Sequence, residues 1–190
     1  MNKQQREELL KRQLRSFTPG MVELINDQWI FFNDENDEAY PLEDYLQREM
    51  EVYRGSRWRK GFLSDIGTVS MRKENLTLWH QEKVRIKKSL QYSFERLLED
   101  LNDDSFFQFI MTLNSLSFSI YDCIYGYNQL TFLRDKKNCS GVNFFVFDNG
   151  QCVCSVQHHF VYSSKEHDRF EFTQNTGKRI VIEKLNPLTQ

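Results

Sequence analysis

Alanine is almost missing from this chain: Ala39 is the single one in 190 residues, beside 16 phenylalanines. The bias fits the base composition of an AT-rich genome, with bulky aromatics filling core positions that small residues fill elsewhere. A phenylalanine-rich stretch is therefore a weak pointer to a ligand pocket here. Glycine is scarce too, eight residues scattered mostly in turns. That leaves no Gly-rich phosphate loop. A G-x-S-x-G elbow, an H-E-x-x-H pair and the strand–helix alternation of a dinucleotide fold are equally absent. The expectation is a protein that is not an enzyme and holds no cofactor.

No uninterrupted apolar run reaches the ~20 residues a bilayer span needs. The most apolar region, SFFQFIMTLNSLSFSIYDCIYGYNQLTFL, is studded with Ser, Thr, Asn and Gln and carries Asp122. The opening MNKQQREELLKRQLRSF has neither the apolar middle nor the small-residue cleavage site of a secretory signal. A cytoplasmic protein with no membrane partner is expected. Its four cysteines, Cys123, Cys139, Cys152 and Cys154, are then reduced thiols.

What is present is an ordinary globular composition, 39% apolar and 27% charged, with uneven charge. Residues 1–50 carry 6 Lys and Arg against 11 Asp and Glu, residues 51–88 carry 10 against 4, and residues 89–190 carry 9 against 12.

Leu9, Leu10, Leu14 and Phe17 recur at helical spacing, so Asn2 to Ser16 reads as a helix stopped by Thr18-Pro19-Gly20. MVELINDQWIFF reads as a hairpin around Asn26-Asp27. NDENDEAYPLEDYLQRE reads as an acidic loop and one helical turn. EVYRGSRWRKGFL, TVSM, LTLW and KVRIKK are short strands, and together the run resembles an SH3-like barrel in strand number and length, or else a bent antiparallel sheet.

From Ser89 the pattern changes. Leu90, Phe94, Leu97, Leu98 and Leu101 mark an amphipathic helix with Ser89 as candidate cap. Asp103 or Asp104 starts a second helix expected to run through Ile124. Against that, Ser115, Ser117 and Ser119 alternate with Leu116, Phe118 and Ile120 as in a strand. Two hairpins follow, turning at Asn149-Gly150 and at Asn175-Thr176-Gly177. The fold class is α+β in two parts. Residues 1–88 hold the N-terminal helix and small barrel, with the helix docked on that barrel. Residues 89–190 hold two helices on a four-stranded antiparallel sheet.

GQCVCSVQHHF (150–160) is the stretch that most resembles chemistry. On a strand, Cys152, Cys154, Val156, His158, Phe160 and Tyr162 share a face, and Cys154 and His158 lie roughly 13 Å apart. That exceeds what one zinc ion spans, and the expected pairing of Phe147 with Cys152 and Phe145 with Cys154 makes the thiols' surroundings apolar. A thiol- or metal-dependent enzyme using Cys152, Cys154 and His158 is the minor alternative; core thiols and no metal are expected.

The binding candidates lie in the basic third. Tyr53, Arg57, Trp58, Arg59 and Trp79 combine cations with aromatic rings, as a site for another protein does, or as single-stranded nucleic acid requires for phosphate neutralisation and base stacking. A sequence pI near 6.1 weighs against a dedicated nucleic-acid binder. Another protein or a second copy is the expected partner, with nucleic acid the alternative. NDENDE lacks the glycine and the terminal bidentate Glu of an EF-hand loop, and reads as solvated or as an internal mate for the basic strands.

Overall fold

A computed structural model describes residues 3–133, 138–163 and 166–186. The chain divides into two compact units, one of residues 16–88, the other joining residues up to 15 with those from 89 on.

The 16–88 unit is one antiparallel sheet of eight strands: β1 (Phe17–Ile25), β2 (Gln28–Asn33), β3 (Ala39–Pro41), β4 (Glu49–Tyr53), β5 (Trp58–Asp65), β6 (Thr68–Ser70), β7 (Asn75–Thr77) and β8 (Glu82–Lys87). Their order is β3-β2-β1-β8-β4-β5-β6-β7. The β1–β2 hairpin turns through Asn26 (φ +50) and Asp27 (φ +62), both left-handed as a two-residue hairpin turn requires. The sheet bends so that Val22, Phe31, Met50, Val52, Leu63, Val69, Val84 and Ile86 share one core. Its ends, β3 and β7, are three residues each and no ladder among the described residues joins them. The expected SH3-like barrel is thus not closed, and the bent antiparallel sheet is what forms.

Thr18-Pro19-Gly20 lies inside β1 rather than ending a helix. A side chain at Gly20 would sit 2.1 Å from the Phe32 carbonyl oxygen and 2.5 Å from the Phe31 ring, so glycine is what lets β1 close on β2.

The second unit packs α1 (Lys3–Lys11), α2 (Tyr92–Asp100) and α3 (Asp103–Ser115) with a sheet of β9 (Cys123–Tyr127), β10 (Cys139–Asp148), β11 (Val153–Tyr162), β12 (Glu166–Gln174) and β13 (Arg179–Asn186), ordered β13-β12-β11-β10-β9. The phenylalanines are spent here: Phe94, Phe109, Phe145, Phe147, Phe170 and Phe172 are fully buried, with neighbouring ring centroids such as Phe94–Phe145 and Phe109–Phe170 both 5.3 Å apart.

Four expectations are corrected in this unit. The N-terminal helix docks on α2 and α3. A nine-residue helix is too short to stand alone, and Arg6 supplies the anchor. It donates to the Leu98 and Leu101 carbonyls at 3.1 and 2.7 Å, pairs with Asp103 at 2.7 Å and lies 4.5 Å over the Phe106 ring. The second helix stops at Ser115, and the chain turns through Ser117 (φ +66) before entering β9. Asp122 makes that possible by accepting from the Ser119 amide at 2.7 Å and from Arg15 Nε at 2.7 Å. The sheet therefore has five strands, not four. The β10–β11 hairpin pairs Phe147 with Cys154 and Phe145 with Val156, two residues from the expected register. Its loop is four residues long, because Asn149 Oδ1 accepts from the amides of Gln151 and Cys152. A two-residue slip keeps every side chain on its expected face.

The caps differ as well: Asn102, not Asp103 or Asp104, caps α3 by accepting from the Ser105 amide at 2.9 Å. Gln91 precedes α2 where Ser89 was the candidate. Among the described residues, no helix is long and apolar enough to cross a membrane.

Candidate functional site

Along β5 the alternation puts Gly61 and Leu63 in the core and Lys60, Phe62 and Ser64 outside. The outward residues, with the turn after β6, border an open groove of about 1060 Å³. Of the sequence candidates, Arg57, Trp58 and Arg59 line it, together with Lys60, Phe62, Met71, Arg72 and Lys73. Tyr53 stands behind Trp58, ring centroids 5.1 Å apart. Trp79 is not in the groove: it is 61% exposed and lies under the Arg54 guanidinium, 3.6 Å from its ring centre. Phe62, 51% exposed, is the lining residue the sequence candidates omitted. Period-two alternation against Leu63 is the signal that places it outside.

Five of the ten basic residues in 51–88 are already matched. Arg54 forks onto the buried Glu82 at 2.7 and 2.6 Å, Arg59 pairs with Glu74, Lys60 with Glu49 at 2.7 Å, Arg85 with Glu51 at 2.7 Å and Lys88 with Glu35 at 2.8 Å. Only the last partner belongs to the acidic loop; the others are strand and turn glutamates. Arg57, Arg72 and Lys73 are different: they are exposed and have no counter-ion among the described residues. Burial holds Lys87 below the ordinary lysine value, with Glu49 opposing that shift.

The rings are partly engaged as well. Trp58 has Arg85 4.4 Å over its ring besides Tyr53, and Trp79 has Arg54. A base has to stack on an open ring face; in the groove Phe62 is the ring with no aromatic or cationic neighbour among the described residues.

The cysteine–histidine stretch lies on β11 with Cys154, Val156, His158 and Phe160 buried and the residues between them turned outward. Burial pushes the Cys154 thiol up to about 11 and Cys123 up to about 12, which leaves both protonated and unreactive at neutral pH. His158 is not a partner for either. Its Nε2 is 2.9 Å from Asp168 Oδ1 and its Nδ1 is 3.1 Å from the Asn143 amide nitrogen. The Gln129 amide donates to Asn143 Oδ1 at 2.7 Å, which turns the Asn143 NH₂ toward the imidazole. Nδ1 is therefore the acceptor and Nε2–H donates to Asp168. Asp168 also accepts from Ser105 Oγ at 2.6 Å, Tyr162 OH at 2.8 Å and Asn102 Nδ2 at 3.2 Å. Burial alone would push this carboxyl up, but the hydrogen bonds from His158, Ser105 and Tyr162 outweigh it and hold it below the usual carboxylate value.

Serine, aspartate and histidine thus meet in an order that does not make a nucleophile: the hydroxyl bonds the carboxylate, not the imidazole. Asn143, His158 and Asp168 each occupy the apolar register of their strand, beside Phe145, Val156 and Phe170. A polar residue at the core phase on three neighbouring strands was the available signal for this cluster. Among the described residues no three His, Cys, Asp or Glu side chains converge as a metal site requires.

No solved structure matches this chain. The uncharacterized protein YisN of Bacillus subtilis (strain 168) is 31% identical over 179 residues, covering 93% of this chain and 90% of that one. Residues 4–184 match a family described as protein of unknown function (DUF2777), which takes in both units, and the chain belongs to that family.

Proposed function

We propose that this is a non-enzymatic binding protein that seats an extended acidic segment of another protein in the β5–β6 groove. The observation that carries this reading is the set of unmatched cations, Arg57, Arg72 and Lys73, around the exposed Phe62. Cations without internal partners attract an anionic ligand and lose little by binding it, because no existing ion pair has to break. Phe62 and Met71 add an apolar floor for a side chain of that segment. The reading places the protein in the cytoplasm, where its free thiols stay reduced.

Single-stranded nucleic acid is the competing occupant and is weakened by the engaged faces of Trp58 and Trp79. The experiment titrates labelled acidic peptides bearing one aromatic residue, and oligothymidylate of similar charge, into the full chain at two salt concentrations. Peptide binding that the triple variant Arg57→Glu, Arg72→Glu, Lys73→Glu abolishes supports the reading. Tighter oligonucleotide binding with a steep salt slope overturns it in favour of nucleic acid. No binding of either kind removes the groove as a recognition site.

A further inference from the structure

The helices cover one face of the five-stranded sheet. Asn143, Phe145 and Phe147 of β10 point to that covered side, so Val142, Phe144 and Val146 point away from it. Directly opposed residues of antiparallel strands share a face. Tyr127 opposes Phe144 and Tyr125 opposes Val146, so these two tyrosines lie on the same open side. Tyr125 is 55%, Tyr127 44% and Phe144 45% exposed. The patch carries no charge.

Beyond the patch the open face mixes exposed valines, Val161 and Val181, with charges that pair among themselves. Glu171 on β12 pairs with Arg169 at 2.6 Å, with Arg179 and with His159 at 3.8 Å. The outer edge of β9 is closed to strand addition, because Gln91 Nε2 donates to the Ile124 carbonyl at 2.7 Å and Ser93 Oγ to the Gly126 carbonyl at 2.9 Å. Whatever covers the tyrosines comes onto the face, not onto the edge.

We infer that two copies of this chain pack face to face through Tyr125, Tyr127, Phe144 and Val146. Three aromatic rings at about half exposure offer roughly 300 Å² of apolar surface, and the flanking valines enlarge it. A standard interface buries about 800 Å² on each partner, with about 65% of a homodimer interface apolar, so this patch supplies the larger share of the apolar centre such an interface needs. A second copy fits better than a different protein for two reasons. A patch without charge is its own complement when the two-fold axis passes through the Tyr127–Phe144 pair. The formal net charge of −2 also gives copies little mutual repulsion.

Native mass spectrometry and light scattering of the full chain across the micromolar range test this. The expected result is a dimer whose dissociation constant is insensitive to salt and rises at least about thirtyfold in Phe144→Glu, the loss of a central aromatic anchor. Circular dichroism checks that this variant is folded. If it is not, the double variant Tyr125→Ser, Tyr127→Ser replaces it. A wild-type chain that is monomeric throughout overturns the inference, as does a dimer that persists in the folded variant. A dimer that instead dissociates with salt and in the Arg57, Arg72, Lys73 triple variant assigns self-association to the groove and overturns it equally.

Discussion

Asp168 and His158 face each other across adjacent strands, Oδ1 to Nε2 at 2.9 Å, and neither has any exposed surface. The pair is a junction. Asp168 reaches Ser105 and Asn102 at the start of α3, and His158 reaches Asn143, which holds the amides of Gln129 and Leu130. Helix, sheet and the loop after β9 are thereby tied through one buried carboxylate. A buried charge persists only when its hydrogen-bonding capacity is met, and this one has four donors.

Asp168→Asn replaces one acceptor oxygen by a donor, so at least one of those four groups loses its partner. The expected cost is about 3 kcal/mol, in the range for breaking a buried network. Urea unfolding checks it; a loss under about 1 kcal/mol shows the network to be no stronger than a surface pair.

The same carboxylate sets an acid limit. Its folded value lies below that of the unfolded chain, near 3.9. The stabilisation is complete above about pH 4 and is lost as pH falls through the folded value. Melting temperature measured from neutral pH downward is expected to drop in this acid window, and less steeply in Asp168→Asn. Equal acid slopes in the two proteins would dismiss the assignment.

Two arginines of the 16–88 unit give a contrast. Arg54→Ala strands the buried Glu82, and a cost of about 3 kcal/mol follows. Arg59→Ala frees the exposed Glu74 into water, and the change stays under about 1 kcal/mol. Thermal melts of the two variants side by side decide whether burial of the partner is what matters.

Thiol labelling at neutral pH is expected to leave Cys154 and Cys123 unmodified in the folded chain and to reach both after denaturation. Rapid native-state alkylation of Cys154 would reopen the nucleophile reading of the stretch around it.

The hairpins were legible in the sequence because their turns are chemically marked: Asn26-Asp27 accepts left-handed backbone, and Gly150 and Gly177 adopt φ of +82 and +86. The core face of β11 was legible for the same kind of reason, since period two survives even a misjudged register. The partner of α1 was not. Arg6 reads two main-chain carbonyls near the end of α2, and backbone oxygens leave no trace in residue identity. The end of α3 was hidden too, because Leu116, Phe118 and Ile120 are buried and suit either periodicity; the deciding Arg15–Asp122 pair joins residues 107 apart. At the groove, composition pointed to the basic strands, but which cations are left over depends on which glutamates lie opposite them, and that is a matter of register.

The 16–88 unit begins and ends at one place, Phe17 opposing Lys87 and the Lys88 amide 3.0 Å from the Ser16 carbonyl. It is an insertion within the other unit, whose first helix is made about ninety residues before the α2 and α3 segments that hold it. On the ribosome, then, the earliest helix has to wait, while the inserted sheet can complete itself as a closed excursion of the chain. The order of synthesis is the reverse of the order in which the outer unit can be finished. A truncation that removes residues 3–11 strips a piece from the last-completed unit and leaves the first-completed one whole.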